Sequence, residues 1–159
     1  YSDIIFGDQN EWEIASGVPH IPFEALDENY VIDREAYLSY FRKMHRLFPK
    51  CKKMVMAVRN QIASSHHTLS GLLYDTVEDQ LYTTRIYDIQ PIVDPMGVGD
   101  AFIAAYIHAH QKWGDENQYC LDFSLSASAI KNTIPGDQNL VSEEEIISNM
   151  TSSGGRIQR

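Results

Sequence analysis

Strand-like segments alternate with amphipathic helical segments along this chain of 159 residues, and that alternation limits its fold more than any other feature. The segment 33–48 has apolar residues every three or four positions and ends at Pro49, as expected of an amphipathic helix. Short apolar stretches predict strands at 3–6, 53–59, 70–75 and 81–89. Strands interleaved with helices predict a layered α/β fold.

Capping residues mark the starts of further helices. Asp8 and Ser142 each precede an acidic first turn, which is typical of a helix N-terminus. Gly114 closes the helical pattern that precedes it. The other predicted helices cover 8–16, 101–113, 117–132 and 142–150, and a loop is predicted over 17–33. We expect one domain over 1–150, followed by a flexible tail over 151–159.

The charge and cysteine content exclude several classes of function. The formal net charge is −9, which argues against a surface for nucleic acid or for an anionic membrane, because both favour basic patches. No segment is apolar enough to span a bilayer. Cys51 and Cys120 form no CxxC motif and no disulfide framework, so a cytoplasmic location is expected.

Two glycines and an aspartate stand where the helix over 101–113 is predicted to begin. Gly97 and Gly99 allow the backbone to turn tightly, and the first N–H groups of a helix, together with its dipole, favour an anion such as phosphate. Asp100 is then placed to accept a proton from a hydroxyl during phosphoryl transfer. The alternative is structural: the glycines form a turn and Asp100 is the N-cap.

The stretch VDPMGVGDAF, residues 93–102, resembles the signature of the ribokinase-like (phosphofructokinase-B type) carbohydrate kinases. The resemblance implies that Gly97, Val98 and Gly99 form an anion hole and that Asp100 is the catalytic base. It also implies a doubly wound α/β sheet with helices on both faces, of which this chain would be the C-terminal half. ATP and Mg²⁺ are the implied cosubstrate and metal.

Other segments follow the order of the same family. IIFGDQNEWE places Asp8 at the nucleotide phosphates and Glu11 near magnesium, and MVMAVRNQIASSHH places Arg59 beside the nucleotide. In the small-residue patch 124–129, Leu125 and Ser128 are candidates to contact adenine; close helix packing is the alternative. Asp94 either caps its loop or binds a monovalent cation, as in some members. His66 and His67 are expected in a solvated loop, with a nucleotide contact as the alternative.

The stretch SASAIKNTIPGDQNLVSEEEI, residues 126–146, is most similar to 2-keto-3-deoxygluconate kinases. The implied reaction is ATP-dependent phosphorylation of a sugar or sugar acid, with 2-keto-3-deoxygluconate converted to its 6-phosphate. The alternatives are another kinase of the family, such as a fructokinase, or a nucleotide-binding fragment that is inactive alone. The implied partners are a sugar-acid substrate and either further copies of the chain, as a homo-oligomer, or the missing N-terminal half.

Overall fold

The computed structural model describes residues 2–22 and 31–152, in which five strands form one mixed sheet. The first four strands are neighbours in chain order, and the fifth pairs with the third. The first two strands are parallel, whereas the other pairs are antiparallel. The strands are β1 (Ile4–Gly7), β2 (Lys53–Ala63), β3 (His66–Asp75), β4 (Gln80–Thr83) and β5 (Tyr87–Ile89).

The strand predicted over 81–89 is divided into β4 and β5 by a short irregular segment. Thr84 occupies this segment, and its side-chain oxygen accepts a hydrogen bond of 2.9 Å from the N–H of Gly71. The N–H of Thr84 donates to the carbonyl of Gly71 at 3.0 Å. The side chain of Thr84 thus takes the place of a backbone acceptor between the strands. β4 pairs with the C-terminal part of β3, and β5 pairs with its N-terminal part.

Five helices cover both faces of the sheet, which confirms the predicted α/β class. On one face, α1 and α2 pack on Met54, Met56 and Leu72; on the other, α3, α4 and α5 pack on Val55 and Leu73. This division follows from the alternation of side chains along β2 and β3. The helices are α1 (Gln9–Ser16), α2 (Arg34–Leu47), α3 (Val98–Trp113), α4 (Asn117–Lys131) and α5 (Glu143–Thr151).

Helix α4 lies at the centre of its layer, where twelve of its fifteen residues are buried. The Ser126 hydroxyl donates to the carbonyl of Ile146 in the neighbouring helix α5 at 2.8 Å, whereas the Ser124 hydroxyl donates within α4 to the carbonyl of Cys120 at 2.6 Å. The small-residue patch therefore serves close packing between helices.

A buried lysine ties β2 to the start of α4. The side chain of Lys53 is buried, and its ammonium donates to Asp115 Oδ1 at 2.5 Å and to Asn117 Oδ1 at 2.7 Å. The Asn117 amide in turn donates to Asp75 Oδ2 at 2.9 Å. Such a network replaces the water that these groups lose on burial.

The expectation of a solvated loop at His66 and His67 is wrong, because both residues lie in β3. The hairpin between β2 and β3 is tighter than predicted, so the strand takes in both histidines. His67 is buried, and His66 Nε2 lies 2.5 Å from Asp88 Oδ1. Burial, with smaller contributions from the charges of Arg59 and His66, lowers the pKa of His67.

The remaining boundaries agree closely with the prediction. α3 begins at Val98 rather than at 101, because Gly97 is its N-cap. α5 ends at Thr151, the first residue of the predicted tail, while 153–159 and the part of the predicted loop over 23–30 lie outside the described residues. In the part of the chain that the structure describes, no helix has both the length and the apolar character to cross a membrane.

Candidate active site

Gly97 forms the turn that leads into α3. Its φ is 73°, in the left-handed region, where residues with a Cβ are strained. A Cβ at this position would lie 2.4 Å from the carbonyl oxygen of Asp137. Both the backbone conformation and the close approach of a neighbouring loop therefore require glycine here.

The N-terminus of α3 has no side-chain cap. In α1, α2 and α5, by contrast, the side chains of Asp8, Asp33 and Ser142 accept hydrogen bonds from the first turn. The N–H groups of the first three residues of α3, 98–100, have no partner within the helix. The helix dipole adds partial positive charge at this end, so the first turn of α3 can receive an anion.

Gly99 leaves room for such a ligand. It is exposed, and a Cβ built on it would meet no atom within 4 Å. The open space lies at the second residue of the helix, beside the uncapped N–H groups. A phosphate oxygen could approach the backbone here more closely than it could past any side chain.

Asp100 is the third residue of α3 and is exposed. In the structural alternative considered above, Asp100 would be the N-cap of this helix; the structure instead has Gly97 as the N-cap. In α1 and α5 the acid at this third position, Glu11 or Glu145, bonds back to the N-cap N–H. Asp100 makes no hydrogen bond to any residue that the structure describes, so its carboxylate is available to a ligand.

Asp94 joins the loop before α3 to the loop after α4. Its Oδ1 accepts from the N–H of Met96 at 2.9 Å, and its Oδ2 accepts from the N–H of Gly136 at 2.8 Å. These two bonds, with a smaller contribution from the charge of Lys131, lower the pKa of Asp94. The contacts correspond to the capping role considered for Asp94; its binding of a monovalent cation stays a prediction.

The two loops, 90–97 and 132–137, are also bonded through their backbones. The N–H of Val93 donates to the carbonyl of Asn132 at 2.8 Å. The hydroxyl of Ser128 donates to the carbonyl of Val98 at 3.0 Å and so links α4 directly to the first turn of α3. The geometry of the anion site is thus set by α4 and the loop that follows it.

Leu125 and Ser128 are both packed inside the structure. Leu125 is 0% exposed within the core between α4 and the sheet, and Ser128 is 2% exposed. The hydroxyl of Ser128 is engaged by Val98, as described above. The structure gives both residues a packing role, and their contact with adenine stays a prediction.

Asp8 and Glu11 bond to each other's backbone at the start of α1. Asp8 Oδ1 accepts from the N–H groups of Asn10 and Glu11 at 2.8 and 2.9 Å, and Glu11 Oε2 accepts from the N–H of Asp8 at 2.8 Å. This reciprocal capping satisfies N–H groups that the helix leaves open. One oxygen of each carboxylate therefore serves to cap α1.

Glu11 also lines a surface cavity of about 330 Å³ together with Gly7, Trp12 and Ile103. Ile103 follows Asp100 by three residues in α3, so the two share one side of the helix. The carboxyl end of β1, the start of α1 and the second turn of α3 thus line one cavity.

Arg59 is an exposed residue of β2, where it pairs with Leu69 of β3. The structure shows no contact between it and the first turn of α3 within the described residues. Among those residues there is also no group of three or more histidines, cysteines or carboxylates that could bind a metal ion by themselves.

Sequence analysis missed two contributors to the site. Asp137 matters through its carbonyl oxygen, which faces Gly97, and a backbone contact leaves no trace in residue type. Lys131 is buried beneath the loops, although lysine is normally an exposed residue. The available signal was the run of small and apolar residues in α4 before Lys131, followed by Ile134 after it.

The chain matches no protein-family model and no curated protein. It is similar in structure to a 2-dehydro-3-deoxygluconokinase from Thermotoga maritima, with a TM-score of 0.78 and 28% identity, over 94% of this chain and 41% of that one. A PfkB family carbohydrate kinase from Listeria grayi gives 0.75 and 25% identity over the same shares. A ribokinase from Thermotoga maritima gives 0.56 and 18%, over 94% and 42%.

Proposed function

The chain has the fold of part of a ribokinase-like carbohydrate kinase, and we propose that it supplies the phosphoryl-transfer site of an ATP-dependent sugar kinase. The observation that carries the proposal is the first turn of α3, with its uncapped N–H groups, its open Gly99 and its unbonded Asp100. Because the chain spans 41% of the length of the first similar structures, the activity belongs to the whole enzyme.

The N–H groups of Val98 and Gly99 would bind an oxygen of the phosphoryl group in transfer. A net charge of −9 makes the chain as a whole repel phosphate, so the attraction has to be local. The helix dipole contributes roughly 0.3–1 kcal/mol at an exposed N-terminus, and the fixed N–H donors add to this as charge develops. Because α3 is held by α4, the donors need no rearrangement during the reaction.

Asp100 would act as the base. Its carboxylate accepts the proton of the acceptor hydroxyl, while the hydroxyl oxygen forms a bond to the γ-phosphorus and the bond from that phosphorus to the β–γ bridging oxygen of ATP breaks. The products are a phosphate ester and ADP, with the proton on Asp100. Its position one residue after the open glycine places base and anion donors in the same turn.

Magnesium would neutralise charge on the phosphates of ATP. It commonly keeps several waters and few protein ligands, which agrees with the lack of a three-ligand cluster among the described residues. Glu11 is the residue we propose near it. Its Oε2 is engaged by Asp8, which leaves Oε1 to accept from a metal-bound water.

For the substrate, we propose 2-keto-3-deoxygluconate, phosphorylated at its primary hydroxyl. The support is the name and 28% identity of the Thermotoga maritima structure, together with the stretch 126–146 quoted above. A turnover assay that compares 2-keto-3-deoxygluconate, fructose and ribose as acceptors decides among the sugars. Faster turnover of fructose would identify a fructokinase and contradict this proposal.

The proposed site is tested with Asp100→Asn. On the 159-residue chain, calorimetry should show ADP and ATP binding that is nearly unchanged by Asp100→Asn, since the anion donors are backbone groups. In an active enzyme that contains this chain, kcat should fall by roughly two to four orders of magnitude, the usual contribution of a general base.

Glu144→Gln provides the matched control, since Glu144 is an exposed acid in the first turn of α5, a capped helix. It should leave both binding and turnover unchanged. Near-normal turnover in Asp100→Asn would remove Asp100 from the mechanism. No measurable binding of ADP or ATP by the wild-type chain would contradict the anion site itself.

A further inference from the structure

Lys131, the last residue of α4, is fully buried. Its ammonium donates a hydrogen bond of 3.0 Å to the carbonyl of Ile134. Burial of an ammonium costs several kcal/mol unless acceptors and opposite charge compensate it. The hydrogen bonds of the loop that follows α4 show how the Lys131 ammonium is compensated.

The backbone after α4 bends around the ammonium. The N–H of Thr133 donates to the carbonyl of Ile130 at 2.9 Å, and the N–H of Ile134 donates to the carbonyl of Lys131 at 3.0 Å. This tight turn presents the Ile134 carbonyl to the lysine of the preceding helical turn. The side chain of Lys131 therefore closes the beginning of the loop 132–137.

The loop that Lys131 holds through Ile134 is bonded in turn to the loop before α3. Asp94 bonds the N–H groups of Met96 and Gly136, one from each loop, and the charge of Lys131 acts on Asp94 without an ion pair between them. The next residue in the second loop is Asp137, whose carbonyl faces Gly97. A chain of contacts thus runs from Lys131 through the Ile134 carbonyl and the loop 132–137 to Asp94 and to the N-cap of α3.

We propose that Lys131 is a positioning residue whose buried ammonium fixes the loop 132–137 through the Ile134 carbonyl. Because that loop is bonded to the loop 90–97, Lys131 thereby fixes the anion-binding turn of α3. The ligand in this inference rests on the proposed function, whereas the effect on the loops does not.

The test compares Lys131→Gln with Lys131→Arg. Glutamine keeps a donor for the Ile134 carbonyl but removes the charge, and arginine retains the charge. Lys53→Gln is the matched control, because Lys53 is another buried lysine whose partners, Asp115 and Asn117, lie away from the two loops. Thermal unfolding establishes that each variant is folded.

Two quantities are measured on the 159-residue chain. Amide hydrogen exchange without ligand should be faster by about tenfold at residues 93–96 and at Gly136 in Lys131→Gln, and unchanged there in Lys53→Gln. The dissociation constant of ADP should rise by about tenfold in Lys131→Gln and recover at least in part in Lys131→Arg.

Three results would each overturn the inference. The first is unchanged amide exchange of the two loops in Lys131→Gln, and the second is an equal increase of that exchange in Lys53→Gln. The third is an ADP affinity of Lys131→Arg that is no better than that of Lys131→Gln. If the wild-type chain does not bind ADP, the proposed function fails, and the exchange measurement still decides the role of Lys131. If Lys131→Gln does not fold, Lys131→Met replaces it, and faster exchange confined to the two loops is again the supporting result.

Discussion

Replacement of the two glycines at the start of α3 by alanine should have opposite effects on stability. At Gly97 the left-handed backbone costs alanine roughly 1–2 kcal/mol. The new Cβ would lie 2.4 Å from the Asp137 carbonyl, about 1 Å closer than ordinary contact at 3.4 Å. Relief of such overlap by backbone movement typically costs about 1–3 kcal/mol. We therefore expect Gly97→Ala to lower the free energy of unfolding by about 3 kcal/mol.

At Gly99 the backbone is helical and the space around the Cβ is open. Gly99→Ala should therefore stabilise the chain by up to about 0.5–1 kcal/mol, the difference in helix propensity between the two residues. The added methyl group would nevertheless stand where a phosphate oxygen approaches. We expect ADP affinity to fall by about tenfold while stability rises.

Gly17→Ala separates the two costs at Gly97. Gly17 has a φ of 71°, but a Cβ there would meet no atom within 4 Å, so only the backbone cost applies. Differential scanning calorimetry should show a Tm lower by about 6–12 °C for Gly97→Ala, lower by about 2–8 °C for Gly17→Ala, and slightly raised for Gly99→Ala. Equal Tm values for Gly97→Ala and Gly17→Ala would refute the proposed contact with Asp137, and a destabilised Gly99→Ala would refute the open space.

Three further outcomes are expected. Glu11→Gln, which can still bond back to the Asp8 N–H, should leave Tm nearly unchanged but raise the magnesium concentration required for turnover in an active enzyme; an unchanged magnesium dependence would restrict Glu11 to capping. Burial lowers the pKa of His67 below its ordinary value of 6.5. As the pH falls, the imidazole is therefore protonated in the unfolded chain before it is protonated in the folded chain, and the folded chain loses stability below pH 6.5. Urea unfolding at pH 7.5 and 5.5 should show a smaller loss for His67→Gln than for the wild type, and equal losses would contradict this assignment. Within the described residues β1 pairs on one edge only, with β2. The purified chain should therefore associate through the free edge of β1. A monodisperse monomer at high concentration in analytical ultracentrifugation would contradict that expectation.

The sequence was sufficient to predict the helices, most of the strands and the α/β class, because these depend on periodicity and on caps that residue type reveals. Asp8, Ser142 and Gly114 are examples, each found at the helix end predicted for it. The placement of His66 and His67 failed because the polar residues around them hid the start of β3, although their partners in β2, Ala63 and Gln61, are only a few positions away. The burial of Leu125 and Ser128 could not be judged from small-residue content alone, because it depends on how α4 packs against the sheet and α3.

The site itself was predictable only in part. Gly97, Gly99 and Asp100 could be identified because a glycine turn followed by a helix has a clear sequence signature. The support beneath them was not visible, since it consists of carbonyl oxygens, such as that of Asp137, and of the buried ammonium of Lys131. The lack of a side-chain cap on α3 follows from glycine at its N-cap, but the contacts that hold this turn in place are tertiary and are not specified locally by the sequence.

The bonds that hold the first turn of α3 all join residues within the segment 90–137. These bonds join α3, α4 and the two loops, and none of them involves β1. The first turn of α3 is therefore expected to fold and unfold as one unit with α3 and α4, and to survive local opening at the β1 edge.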